Sequence, residues 1–166
     1  MSYIINGINE YGDLTAWPTL NLDSCESADV VGNFGEAAEN ILCSTQWDET
    51  LTYEDPIFGS AANYNTELKA AFPAYADRSV PYQTAQASAA VYVYADAFTR
   101  AGSLDKDAVR DALSSTDMMT FYGGVKFSEA GNNVAKPMVL RQIQGGEYKV
   151  VAPSAFAAAD LVWPRP

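Results

Sequence analysis

Residues 83–101 restrict what this 166-residue chain can become more than any other stretch. Between positions 85 and 98, apolar side chains stand on nearly every helical face: Ala89, Ala90, Val91, Tyr92, Val93, Tyr94 and Phe98. A helix apolar all round belongs inside a core, since each large side chain left in water costs about 1.5–3 kcal/mol. Gly102 fits a C′ position that ends it. Asp105 then reads as the cap of a second helix running through Leu113, with Val109, Ala112 and Leu113 turned inward. A chain with such a helix must supply or recruit a broad apolar surface, and few strands of its own are available for that.

The strands it does have suggest an α/β design. Thr19-Leu20-Asn21-Leu22 alternates and ends at Asp23-Ser24, which reads as a short strand entering a turn. Residues 26–39 carry Val30, Val31, Phe34, Ala37 and Ala38 at helical spacing. Residues 41–45 read as a second strand, and strand, helix and strand over so short a span fit a βαβ unit with parallel strands. Residues 47–59 read as an acidic loop. Residues 60–72 read as an amphipathic helix with Tyr64, Leu68, Ala71 and Phe72 on one face, stopped by Pro73. Residues 74–82 read as a connector. Three more strands are expected at 124–127, 138–142 and 148–152, with Gly145-Gly146 making a hairpin of the last two.

Charge narrows the partners. Residues 1–68 hold twelve acids and no bases, whereas residues 69–166 hold ten bases and nine acids. With a net charge of −11, the surface repels phosphate backbones and anionic membranes, so nucleic acid is not an expected partner. The plain reading of that charge is solubility, and the sharper one is attraction of a cationic or zwitterionic ligand. No apolar run approaches the roughly 18 residues that span a bilayer. The first residues lack the basic and apolar regions of a signal peptide.

Chemistry is constrained as much by what is missing. Histidine is absent, which removes Ser-His-Asp and Cys-His catalysis and the commonest metal ligand from this chain. The acidic loop with Asp48, Glu49, Glu54 and Asp55 lacks the alternating pattern of a calcium loop. Gly123-Gly124 and Gly145-Gly146 fit turns and match no phosphate-binding pattern. Nothing fixes two carboxylates on one site, so no catalytic residue, cofactor or metal is assigned and an enzyme is not expected. Cys25 follows the first strand and Cys43 sits in the second. Neighbouring strands run about 4.8 Å apart, which brings the two within reach of a disulfide, the alternative being two separate buried thiols. Asp23, just beyond a strand that opens a βαβ unit, stands where open α/β sheets bind ligands, or it caps the following helix.

Several segments in order resemble a known family. These are Ala101-Gly102-Ser103-Leu104-Asp105, Val109-Arg110-Asp111-Ala112-Leu113, and Thr120-Phe121-Tyr122-Gly123-Gly124-Val125-Lys126-Phe127, followed by Gly131-Asn132-Asn133 and Lys136-Pro137-Met138-Val139-Leu140. Upstream stand Phe34-Gly35-Glu36-Ala37-Ala38-Glu39-Asn40-Ile41-Leu42 and Thr45-Gln46-Trp47-Asp48. Together, over about residues 20–166, they resemble the C-terminal part of branched-chain amino acid and amide ABC-transporter substrate-binding proteins, the type I periplasmic binding proteins.

The resemblance implies a three-layer, Rossmann-like α/β fold, present as lobe segments and incomplete relative to the full two-lobe form. It places residues 1–81 in lobe two and 82–134 in lobe one, with 135–166 returning to lobe two. It implies the C-terminal portion of an extracytoplasmic solute-binding component, periplasmic or extracellular, serving an ABC transporter. The alternative is the ligand-sensing domain of a signalling receptor with the same fold. Asp23 falls near the position that pairs with a ligand ammonium. Tyr82, Gln83 and Gln86 fall where the chain re-enters lobe one near the cleft, or else serve as hinge and helix-start packing. Trp47 borders the cleft or packs beside it. The implied partners are an amino-acid-like solute, the transporter's membrane subunits, and the missing N-terminal portion or a second copy. Leucine-type amino acids, urea or amides, and small carboxylates all stay open as solutes.

Overall fold

The computed structural model describes residues 20–22, 25, 29–77 and 79–166. Readings placed on residues 1–19, Asp23 and Ser24, and the first three positions of the helix read over 26–39, lie outside the described residues. The chain forms two compact units, one from the described residues up to Asp48 together with Met138–Pro166, the other from Glu49–Pro137. Residues 49–81, grouped above with the first segment, pack here with 82–137.

The discontinuous unit holds a four-stranded sheet whose strands lie in the order Asn21–Leu22, Leu42–Thr45, Val139–Gln144 and Glu147–Ala152. Strands β1 (Asn21–Leu22) and β2 (Leu42–Thr45) are parallel, with Asn21 opposite Leu42. Helix α1 (Asp29–Phe34) and a 3-10 turn at Gly35–Ala38 connect them. The expected βαβ unit is therefore present, although its helix breaks at Gly35 rather than running to position 39. β7 (Val139–Gln144) and β8 (Glu147–Ala152) then complete the sheet antiparallel. The hairpin turn needs two residues with positive φ, and Gly145 and Gly146 supply them at 63° and 76°. The Glu39 carboxylate clasps that turn, accepting the Gly145 N–H at 2.7 Å and the Gly146 N–H at 3.3 Å.

Between α1 and the sheet lies a core of Leu22, Cys25, Val30, Ala38, Ile41, Cys43 and Ile143. Cys25 and Cys43 are joined in a disulfide with a Cα separation of 5.6 Å. Closing a loop of 18 residues in sequence removes denatured-state freedom worth about 3 kcal/mol.

The continuous unit begins with an unforeseen hairpin inside the expected loop, β3 (Glu54–Asp55) with β4 (Gly59–Ser60). Asp55 organises it. Its Oδ1 accepts the N–H groups of Ile57 and Phe58 at 2.8 and 2.7 Å, while Oδ2 accepts the Phe121 N–H at 2.8 Å. Ser60 caps α2 (Ala61–Ala71) by accepting the Asn63 N–H. Tyr64 of this helix stacks on Phe121 at 4.0 Å, and Phe58 meets both rings edge-on. Phe72, expected on the buried face, is exposed.

Helix α3 (Tyr82–Ala101) ends at Gly102 in the left-handed conformation, and α4 (Lys106–Ser114) starts under an Asp105 side chain that accepts the Asp107 and Ala108 N–H groups. Arg100 ties the two helices, donating to Ala112 O, Ser115 Oγ and Thr116 Oγ1. β5 (Asp117–Thr120), which the sequence reading passed over, pairs antiparallel with β6 (Gly123–Lys126). Gly123-Gly124 does more than turn the chain. A Cβ on Gly124 would lie 2.9 Å from Ala135 O, and one on Gly123 would meet the Lys136 stem at 2.8 Å.

The expectation of a fully buried α3 needs correction. Ala85, Ala89, Val93 and Ala97, one stripe at i, i+4 spacing, are buried. Val91, Tyr94 and Phe98 are exposed, by 70%, 49% and 40%. One face of the helix is covered by the described residues and another is bare.

Candidate functional site

Parallel pairing of β1 and β2 brings their carboxyl ends to one edge of the sheet, where α/β folds place ligands. β7 enters at the same edge, with Val139 opposite Thr45. Thr45 shapes the chain leaving β2: its hydroxyl donates to Trp47 O at 3.1 Å and accepts the Trp47 N–H at 3.4 Å. Trp47 is 2% exposed, so the described residues enclose it. Asp23, the residue after β1, lies outside the described residues.

Beneath that edge runs a buried polar chain. Asp48 faces Arg141, with Oδ2 and Nη1 3.4 Å apart and both side chains almost wholly buried. The Arg141 guanidinium lies 4.6 Å from the centre of the Tyr148 ring. The Tyr148 hydroxyl donates to Cys25 O at 2.9 Å. The disulfide segment and the residues just past Trp47 are thus fixed through one cation and one phenol. A buried ion pair of this kind is weak evidence for stability but strong local positioning, because removing either partner strands the other charge. Sequence reasoning missed Arg141 and Tyr148. The signal was there: Arg141 alternates with Ile143, so a cation falls on the core face of a strand.

In the other unit, Tyr82, Gln83 and Gln86 sit on the first turns of α3. Tyr82 is half-buried, while Gln83 and Gln86 are exposed. Gln86 lines a groove of about 890 Å³ bounded by Val93 and Tyr94 of α3, Leu113 of α4, and Val125 and Phe127 at β6. That volume falls in the range of small-molecule sites, and its walls are mainly apolar. Nearby, burial pushes the Lys136 amine down to about 8, and its Nζ lies 4.3 Å from the centre of the Tyr122 ring. Burial also pushes the Tyr64 phenol up. Among the described residues no group of three His, Cys, Asp or Glu side chains is placed to hold a metal.

A family model described as a periplasmic binding protein matches residues 10–147. Solved structures share the fold. A protein from Silicibacter pomeroyi assigned as a branched-chain amino acid ABC transporter matches 98% of this chain with a TM-score of 0.72 and 19% identity, over 44% of its own length. A leucine binding protein from Thermotoga maritima matches 76% of this chain with a TM-score of 0.60 and 20% identity, over 34% of its length. An extracellular ligand-binding receptor from Rhodopseudomonas palustris matches 75% with a TM-score of 0.60 and 20% identity, over 38% of its length. The chain therefore spans less than half of each of these structures.

Proposed function

The chain belongs to the periplasmic binding protein family, and from that premise we propose that it forms part of the extracytoplasmic solute-binding component of an ABC transporter, taking amino acids or related small solutes. Its mixed α/β architecture is that of the type I members, present in part. The family match over residues 10–147 is the observation that carries the reading. The disulfide supports it, since such bonds persist outside the reducing cytoplasm.

In this reading the solute meets the carboxyl edge of β1 and β2. Asp23 pairs with a ligand ammonium, and the enclosed Trp47 packs beside the cleft. Tyr82, Gln83 and Gln86 contribute from the start of α3. The protein binds and releases its solute without transforming it and delivers it to the transporter's membrane subunits. The rest of the cleft comes from a further portion of the same protein or from a second copy, in keeping with the fraction of each matched structure that this chain spans.

Thermal-shift measurements on the complete gene product, with leucine, urea and a small carboxylate in turn, test the proposal. The cognate class at 100 times its Kd adds about 2.7 kcal/mol of stability. A complete protein that responds to none of the three classes contradicts it.

A further inference from the structure

Strands β1 and β2 leave the carboxyl edge of their sheet side by side, and each outgoing chain is caught again soon afterwards. Cys25 stands three positions beyond Leu22, the last residue of β1, and Asp48 stands three positions beyond Thr45, the last of β2. Both points are held by one clamp, made of Arg141 on β7 and Tyr148 on β8. Arg141 Nη1 reaches Asp48 Oδ2 at 3.4 Å, and the Tyr148 hydroxyl donates to Cys25 O at 2.9 Å. The guanidinium lies 4.6 Å from the centre of the Tyr148 ring, so the two halves of the clamp meet.

Strand register closes the cluster into a ring. Arg141 stands opposite Cys43 across β2 and β7, and Cys43 is joined to Cys25. Cys25 is thus tied twice, covalently to β2 and by a hydrogen bond to β8. A buried ion pair adds little net stability over apolar side chains of similar size, so what the Arg141–Asp48 pair supplies is fixed geometry. The segments it fixes, together with Tyr148, are those at the edge where open α/β sheets bind ligands.

We propose that Arg141 and Tyr148 are positioning residues of the solute site, holding the segments past β1 and β2 in place before the solute arrives. The inference rests on the reading of that edge as the solute site. Arg141 acts through Asp48, and Tyr148 acts through Cys25. A solute then meets segments already ordered, and binding is not weakened by the cost of ordering them.

Calorimetric titration of the complete protein with leucine, urea and acetate, well below its melting temperature, tests this, because a loss of stability alone leaves Kd unchanged there. Tyr148→Phe removes the hydroxyl and keeps the ring. It raises the Kd of whichever of the three binds by about threefold to tenfold, mainly through faster release. Arg141→Lys keeps the charge and loses the planar fork; it weakens binding likewise, and the double variant is less than additive. Glu39→Ala is the control: it unclasps the Gly145-Gly146 turn at the opposite edge of the sheet, lowering the melting temperature with Kd unmoved. Hydrogen exchange on the solute-free protein gives a second readout. In both clamp variants the Cys25 and Asp48 amides exchange severalfold faster, while that of Ile143, bonded to Ile41 O, keeps its rate. Tyr148→Phe serves alone if Arg141→Lys fails to fold. A Tyr148→Phe protein with the parent's Kd, or with the parent's exchange at Cys25, overturns the proposal and leaves the solute reading standing. A complete protein that binds none of the three contradicts the solute reading, and the proposal falls with it.

Discussion

Lys136 lays its aliphatic stem across Gly123 and its amine over the Tyr122 ring. Burial lowers its pKa to about 8, against 10.5 ordinarily. The ring face favours the ammonium by about 0.5–1 kcal/mol, less than one pK unit, so burial prevails. Between pH 8 and 10.5 the unfolded chain then holds more protons than the folded one, and stability rises with pH across that window. Lys136→Met should accordingly be more stable than the parent at pH 7, with the difference vanishing above pH 10.5 in urea titrations. A constant difference from pH 7 to 11 contradicts the assignment. At Asp23, substitution by Asn in the complete protein is expected to weaken binding of an ammonium-bearing solute by about 2–5 kcal/mol, because a closed cleft leaves that charge unpaired. Unchanged affinity by calorimetry returns Asp23 to the role of a helix cap. Single residues were legible where local chemistry is decisive, as with the caps Asp105 and Gly102. For Arg141 the strand pattern marks a buried cation but not its partner, because Asp48 lies 93 residues away in sequence.

Elements with a repeating pattern declared themselves. The 3.6-residue period of α2 and α4, the long apolar run of α3 and the Gly145-Gly146 turn between β7 and β8 each stand out. β3 and β4, two residues apiece, carry no period at all, and their hairpin exists because Asp55 collects three N–H groups. Asp55→Ala is expected to cost about 3–5 kcal/mol by leaving those donors bare, and Asp55→Asn less, since one carbonyl oxygen survives. Denaturant midpoints check this, and equal losses for the two variants would argue for a steric cause. α1 ends before its apolar spacing does, because Ala37 and Ala38 keep helical spacing within a 3-10 turn. The disulfide makes a second expectation at this scale. Reduction should lower unfolding free energy by about 3 kcal/mol, and an unmoved urea midpoint under reductant would show that the crosslink restrains nothing.

For the whole molecule, the sequence leads to the expectation that α3 needs broad apolar cover, and among the described residues its Val91, Tyr94 and Phe98 are exposed. The chain alone is expected to self-associate, or to associate with a longer portion of its own protein, and Tyr94→Lys with Val91→Lys to shift it toward monomer in sedimentation experiments. A stable monomer that binds an amino acid at micromolar affinity unaided would defeat this expectation. The division at Asp48 and Met138 was not legible, because it depends on side chains such as Tyr64 meeting Phe121 across more than fifty positions. That division also sets a timetable. During synthesis β1 and β2 emerge before the Glu49–Pro137 segment, yet β2 acquires its antiparallel neighbour only once Val139–Gln144 has been made, and Arg141 follows Asp48 by 93 residues. Until then β2 is an open edge, able to pair with whatever strand it meets. Newly made copies are therefore most prone to cross-pairing while the inserted Glu49–Pro137 segment is still being translated, and the speed with which that insertion collapses governs how many chains complete their sheet.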